Sequence, residues 1–208
     1  MPVLDEIVLD GAALLADIEA LRQFLGTNPQ AERKQLLPFF ATRPQLCTLI
    51  GMLHDRVKLV THWNHELDLF GDFRCDLAVG SPKDGAFVLI EFEDARRASL
   101  FDRRGRVKNS HWGLRAERAV SQVNDWLFRL NTEGASARME RDFGNRNCVF
   151  MGVIVVGRSR DVSAYDRARL DWRSQNTLIG GSKLSIFTYD DLLEWLDGRA
   201  RFLTSFAR

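Results

Sequence analysis

Chemistry in this sequence begins with carboxylates. The stretch "FVLIEFEDA" (87–95) is a run of β-forming residues that ends in Glu91 and Glu93, one residue apart. Alternation along a strand puts both on one face, where like charges repel. Just upstream, "SPKDG" lies between "FRCDLAV" and "AFVLIEFE" with Pro, Asp and Gly in a turn-forming order. A turn centred between Lys83 and Asp84 sets Asp76 directly opposite Glu91, with Cβ atoms roughly 4.5–5.5 Å apart. Glu93 is then diagonal to Asp76 on the same face, so three carboxylates converge. Such a cluster needs positive charge. A divalent cation, Mg²⁺ or Mn²⁺, suits an all-oxygen set; it can generate hydroxide and stabilise an in-line phosphoryl displacement. The alternative is pairing with Arg74 or with a base from residues 96–118. A one-residue slip of register takes Asp76 off the face altogether.

The elements that must position these acids follow from hydrophobic patterning. Residues 10–54 read as helical, with Leu14, Ile18, Leu21 and Leu25 at helical spacing and breaks at Pro38 and Pro44. "VKLVTHW", "HELDLF", "FRCDLAV" and "AFVLIEFE" read as four strands. "HWGLRAERAVSQVNDWLFRL" reads as a long helix with Trp112, Ala116, Ala119, Val123, Leu127 and Leu130 in one stripe. "CVFMGVIVVG" is a strand buried on both faces. A charged helix, the strand "KLSIFTY" and a closing helix that opens on Asp190 and Asp191 complete the chain. The expected fold is α/β, a mixed β-sheet flanked by helices. Residues 1–56 form an N-terminal helical region and residues 57–208 the sheet domain.

Composition narrows the function. The 208 residues are 45% hydrophobic and carry a net charge of +1, ordinary for a soluble globular chain. No run approaches the ~18 apolar residues of a membrane span, so we expect a cytoplasmic protein with no membrane partner. Cys47, Cys75 and Cys148 show no CxxC or zinc spacing and read as reduced thiols. Walker, GxGxxG, GxSxG and HExxH patterns are absent. Charge is unevenly spread. Residues 1–28 hold five acids and one base, whereas residues 96–118 hold eight bases (Arg96, Arg97, Arg103, Arg104, Arg106, Lys108, Arg115, Arg118) against two acids. Interleaved with Phe101, His111 and Trp112, these bases suit phosphate contacts and stacking, and they make DNA the expected partner. Arg158 and Arg160 follow the central strand, where α/β proteins place ligands.

Asp, then Glu-x-x on the adjacent strand, followed by a helix, is similar to the PD-(D/E)xK nuclease core. Taken in order, "FGDFRCDLAVG", "VLIEFEDA", "AVSQVNDWLFRL", "VVGRSRDVSAYDRARLDWRSQN" and "LSIFTYDDLLEWL" resemble the Shedu family of bacterial antiphage defence nucleases. The resemblance implies a Mg²⁺-dependent endodeoxyribonuclease that nicks or cuts duplex DNA and assembles as a homo-oligomer. Asp76 and Glu91 match its metal-binding acids, and Glu93 occupies the position at which the motif usually has lysine. Gln122 matches a polar helix residue beside the site, with an exposed glutamine as the plain alternative. Glu66 is a fourth acid or a rim ion pair. Glutamate at 93 can act as general base or extra ligand but cannot donate lysine's charge. Some restriction endonucleases in the superfamily use Glu-x-Glu, and Lys108 or an arginine of 96–118 is a substitute cation. The competing expectation is an inactive DNA- or partner-binding module of the same fold.

Overall fold

The computed structural model describes residues 3–102 and 109–205. The sequence begins with a two-residue strand β1 (Asp5–Glu6), followed by helices α1 (Gly11–Thr27), α2 (Arg33–Ala41) and α3 (Pro44–Gly51). Strands β2 (His62–Leu69), β3 (Phe73–Ser81) and β4 (Ala86–Phe92) form an antiparallel meander. A short helix α4 (Arg97–Leu100) and a two-strand ribbon, β5 (Phe101–Asp102) and β6 (His111–Trp112), lead into the long helix α5 (Leu114–Glu133) and then α6 (Ala137–Phe143). Strand β7 (Val149–Val155), helix α7 (Ala164–Asn176), strands β8 (Leu178–Ile179) and β9 (Ser182–Phe187), and helix α8 (Tyr189–Ser205) finish the chain. The sheet has seven strands in the order β1-β2-β3-β4-β7-β9-β8. β4, β7 and β9 run parallel and the other pairs antiparallel. The expected α/β architecture, a mixed sheet flanked by helices, is therefore present.

Alternation divides the sheet residues between two cores. Leu77, Val79, Val88, Ile90, Phe92, Val153 and Val155 face α1, α2, α3 and α8. Ala78, Phe87, Leu89, Phe150, Ile154 and Ile186 face α5, α6 and α7. The N-terminal helices thus share one apolar cluster with the sheet. Helix α5 lies close to its face because β7 has glycine at the crossing: a Cβ on Gly152 would stand 2.5 Å from Val123 Cγ1.

Three details depart from the sequence reading. Of "VKLVTHW" only His62 and Trp63 are strand, and they are continuous with "HELDLF" in β2: Asn64 between them pairs with Ala78. The turn follows at Phe70 and Gly71, both with positive φ. Helix α2 continues through Pro38; Pro38 and Lys34 are both exposed, so water can satisfy the Lys34 carbonyl left without an N–H partner. Trp112 does not head the stripe of α5. It lies in β6, its ring 4.5 Å from that of Phe101, and the helix begins after Gly113.

Candidate functional site

The β3–β4 register places Leu77 opposite Ile90, Ala78 opposite Leu89 and Val79 opposite Val88, as the turn at Lys83–Asp84 requires. Continued by one residue, it sets Asp76 opposite Glu91. Ladder pairing stops there because the Asp76 side chain takes over: Phe92 N–H donates to Asp76 Oδ2 at 2.9 Å. Asp76 and Glu91 are both buried, at 3% and 1% exposure, and both face Arg33. Burial, followed by the charge of Asp76, pushes Glu91 up to about 9. Burial raises Asp76 as well, opposed by the Phe92 N–H and by Arg33. From α5, Gln122 Nε2 reaches Glu91 Oε2 at 3.4 Å. The helix is placed to do so by the neighbouring Val123 seated on Gly152.

Glu93 and Asp94 follow directly. The strand continues in effect past Phe92, since Glu93 N–H donates to Val155 O at 2.9 Å. The Glu93 carboxyl is buried and turned toward α5, with Arg115 Nη1 3.5 Å from its Oε2. Burial raises Glu93 above the usual carboxylate range, although Arg115 opposes the shift. The same Oε2 has no hydrogen-bond partner. Arg115 Nε also stands 3.6 Å from Asp94 Oδ2. Pairing with a base from 96–118, left open on sequence, is therefore realised for Glu93 and Asp94. Tyr189, at the start of α8, is fully buried and donates its hydroxyl to Glu93 O at 2.6 Å, pinning the backbone at this point.

The residue that the sequence did not reveal is Arg33. It is the first residue of α2, and its guanidinium lies against Asp76 Oδ1. Nε donates to Phe92 O at 3.1 Å and stands 3.8 Å from Glu91 Oε1. Its backbone is fixed as firmly: Arg33 N–H donates to Asp94 Oδ1 at 2.7 Å, and Ala95 N–H to Ala31 O at 2.8 Å. Glu32 adds an ion pair to Arg96 and a capping box with Gln35. No local oddity marks Arg33 in sequence: the helix it opens has an acid, Glu32, at its N-cap, and Lys34 pairs with that acid at 3.1 Å.

Other expected residues fall elsewhere. Glu66 is exposed, with φ 54°, on the strand beside β3. Arg74 is exposed and paired across strands with Asp68. Arg97 and Arg118 are exposed. Arg103, Arg104, Arg106 and Lys108 lie outside the described residues. Arg158 is buried and serves the fold, donating to Asp190 at 2.7 Å and to Leu25 O at 2.9 Å.

The donor chemistry fits a hard divalent ion in part. Asp76, Glu91 and the Phe92 carbonyl present oxygens to the Arg33 guanidinium, and four carboxylates (Asp76, Glu91, Glu93, Asp94) face two guanidiniums (Arg33, Arg115). Among the described residues, no three His, Cys, Asp or Glu side chains group as a cage by themselves. The fitting set is therefore the Asp76–Glu91 pair with a backbone oxygen, and Glu93 stands aside with Arg115.

A mixed α/β sheet carrying a buried acid pair, Asp76 on the antiparallel strand β3 and Glu91 near the C-terminal end of β4, defines the class to which this chain belongs. The family model described as Shedu protein SduA, C-terminal, matches residues 30–193. The chain belongs to the Shedu family, which points to antiphage defence. Curated proteins give no match. Among the described residues no helix is long and apolar enough to cross a membrane.

Proposed function

We propose that this protein is a metal-dependent DNA endonuclease of antiphage defence, with a PD-(D/E)xK-type site that nicks or cleaves duplex DNA. The observation that carries the reading is the juxtaposition of Asp76 and Glu91. They are buried side by side, and each has one oxygen turned to a cationic group that also meets the Phe92 carbonyl. Asp76, Glu91 and Phe92 O would hold Mg²⁺ or Mn²⁺, and a bound ion supplies a water of lowered pKa and a Lewis acid toward phosphate. The Gln122 amide, 3.4 Å from Glu91 Oε2, orients a water or a phosphate oxygen. Glu93, raised by burial and lacking a hydrogen bond on Oε2, is the available proton acceptor. Arg115 and Arg118, on the first turns of α5, together with the basic segment 96–108, grip the DNA backbone without reading bases.

The test is nicking of supercoiled plasmid by purified protein with Mg²⁺ or Mn²⁺. Cleavage is expected with either ion and none with EDTA. Undiminished nicking by Glu91→Ala overturns the assignment.

A second reading has its own support: Glu93 stands where the motif has lysine, and Arg33 already neutralises Asp76. A binding module of the same fold would then hold DNA independently of metal and cleave under no divalent ion.

A further inference from the structure

Three oxygens meet at the Arg33 guanidinium. Nη2 donates to Asp76 Oδ1, Nε donates to Phe92 O at 3.1 Å, and Nε faces Glu91 Oε1 at 3.8 Å. The other oxygen of each acid is committed to the protein frame: Asp76 Oδ2 accepts the Phe92 N–H, and Glu91 Oε2 accepts from Gln122. The atoms left to take a cation are thus the ones Arg33 occupies.

We propose that Arg33 is a built-in surrogate cation, competing with a divalent ion for Asp76 Oδ1, Glu91 Oε1 and Phe92 O. The ion enters as the guanidinium leaves. This inference rests on the metal-site reading above and adds the residue that sets the site's occupancy. A guanidinium and a dication sharing the same oxygens repel strongly in a site this poorly hydrated. A guanidinium keeps its charge at any working pH. Arg33 therefore cannot yield the site by becoming neutral; it must move. The structure permits that movement. The backbone at 31–33 is tied to Asp94 and Ala95, so helix α2 stays seated. The side chain is 37% exposed. Rotation about its own torsions carries it outward with no rearrangement of the helix.

The experiment is calorimetric titration of Mn²⁺ into the full chain at pH 8, with a far-ultraviolet melt confirming each variant's fold. Arg33→Ala is expected to tighten Mn²⁺ binding roughly tenfold or more, and Arg33→Lys to stay near wild type. Arg33→Gln loses the charge while keeping a donor, and carries the test if the alanine variant does not fold. Asp76→Ala is expected to abolish binding in both the wild-type and the Arg33→Ala backgrounds. Folded Arg33 variants that bind Mn²⁺ no more tightly than wild type overturn the proposal. No Mn²⁺ binding by wild type or by any folded Arg33 variant shows instead that the metal-site reading has failed, and the surrogate role with it.

Discussion

Phe92 N–H donates to the side chain of Asp76 at 2.9 Å, where a ladder bond to a neighbouring backbone would otherwise stand. One carboxylate thereby closes the end of the β3–β4 pair and turns its other oxygen toward Arg33. Structure and chemistry are separable at this residue. Asp76→Asn keeps an oxygen for the Phe92 N–H and removes the charge, so the fold is expected to persist while divalent-ion binding and nicking are lost. Asp76→Ala leaves a buried N–H unsatisfied, at a cost of about 1–3 kcal/mol. Urea denaturation compares the two variants. Equal stability of Asn and Ala would show that the hydrogen bond contributes nothing to closing the strand pair.

Glu91 predicts a dependence of stability on pH. An unfolded glutamate has a pKa of about 4.3, whereas burial and Asp76 push Glu91 up to about 9 in the folded chain. The folded state holds the proton more tightly. Its contribution to stability is therefore complete below pH ~4.3 and is lost as pH rises toward 9. Asp76 is raised too, and the pair titrates jointly. In EDTA the melting temperature is expected to fall across this window, with a slope of up to about 1.4 kcal/mol per pH unit per proton. Glu91→Gln should flatten the slope. A Glu91→Gln variant with the wild-type slope would locate the titrating group elsewhere.

Much of the site was legible because hairpin register is a local property. The order "SPKDG" fixes a turn, the turn fixes which residues face each other, and Asp76 opposite Glu91 follows. Arg33 was not legible in that way. It reaches Asp76 across 43 residues of sequence, and only the docking of α2 on the end of β4 brings it there. Tyr189, 96 residues from the Glu93 carbonyl it holds, was hidden for the same reason. Glu93 sits between these cases. Its face was legible, but its neighbour Arg115 was not, because the position of Arg115 depends on where α5 begins after the β5–β6 ribbon.

Gly152 tests how the helix positions Gln122. A side chain there meets Val123 Cγ1 at 2.5 Å and Leu184 Cδ1 at 3.0 Å. Gly152→Val is expected to push α5 off the sheet and to cost about 1–3 kcal/mol. Val123→Ala in the same chain should recover part of that loss, because the two changes share one contact. Thermal melts of the single and double variants measure the coupling. Independent, additive effects would mean that α5 is not seated on this glycine.

Glu93 decides how far the usual lysine can be restored. Its carboxyl is buried, and the nearest charge, Arg115, is 3.5 Å away. Glu93→Lys would put an ammonium beside Arg115 and take away one of the acids that oppose Arg33. Both changes place like charges together in a dry site. The single variant is therefore expected to melt well below wild type and to gain no nicking. Removing the repulsion with Arg115→Ala should restore stability to the Glu93→Lys chain beyond the sum of the two separate changes. A double-mutant cycle on thermal stability reads this coupling, and plasmid nicking by the double variant reports whether lysine then works in the site. If Glu93→Lys alone is as stable as wild type, Arg115 is not the partner that dictates an acid at this position.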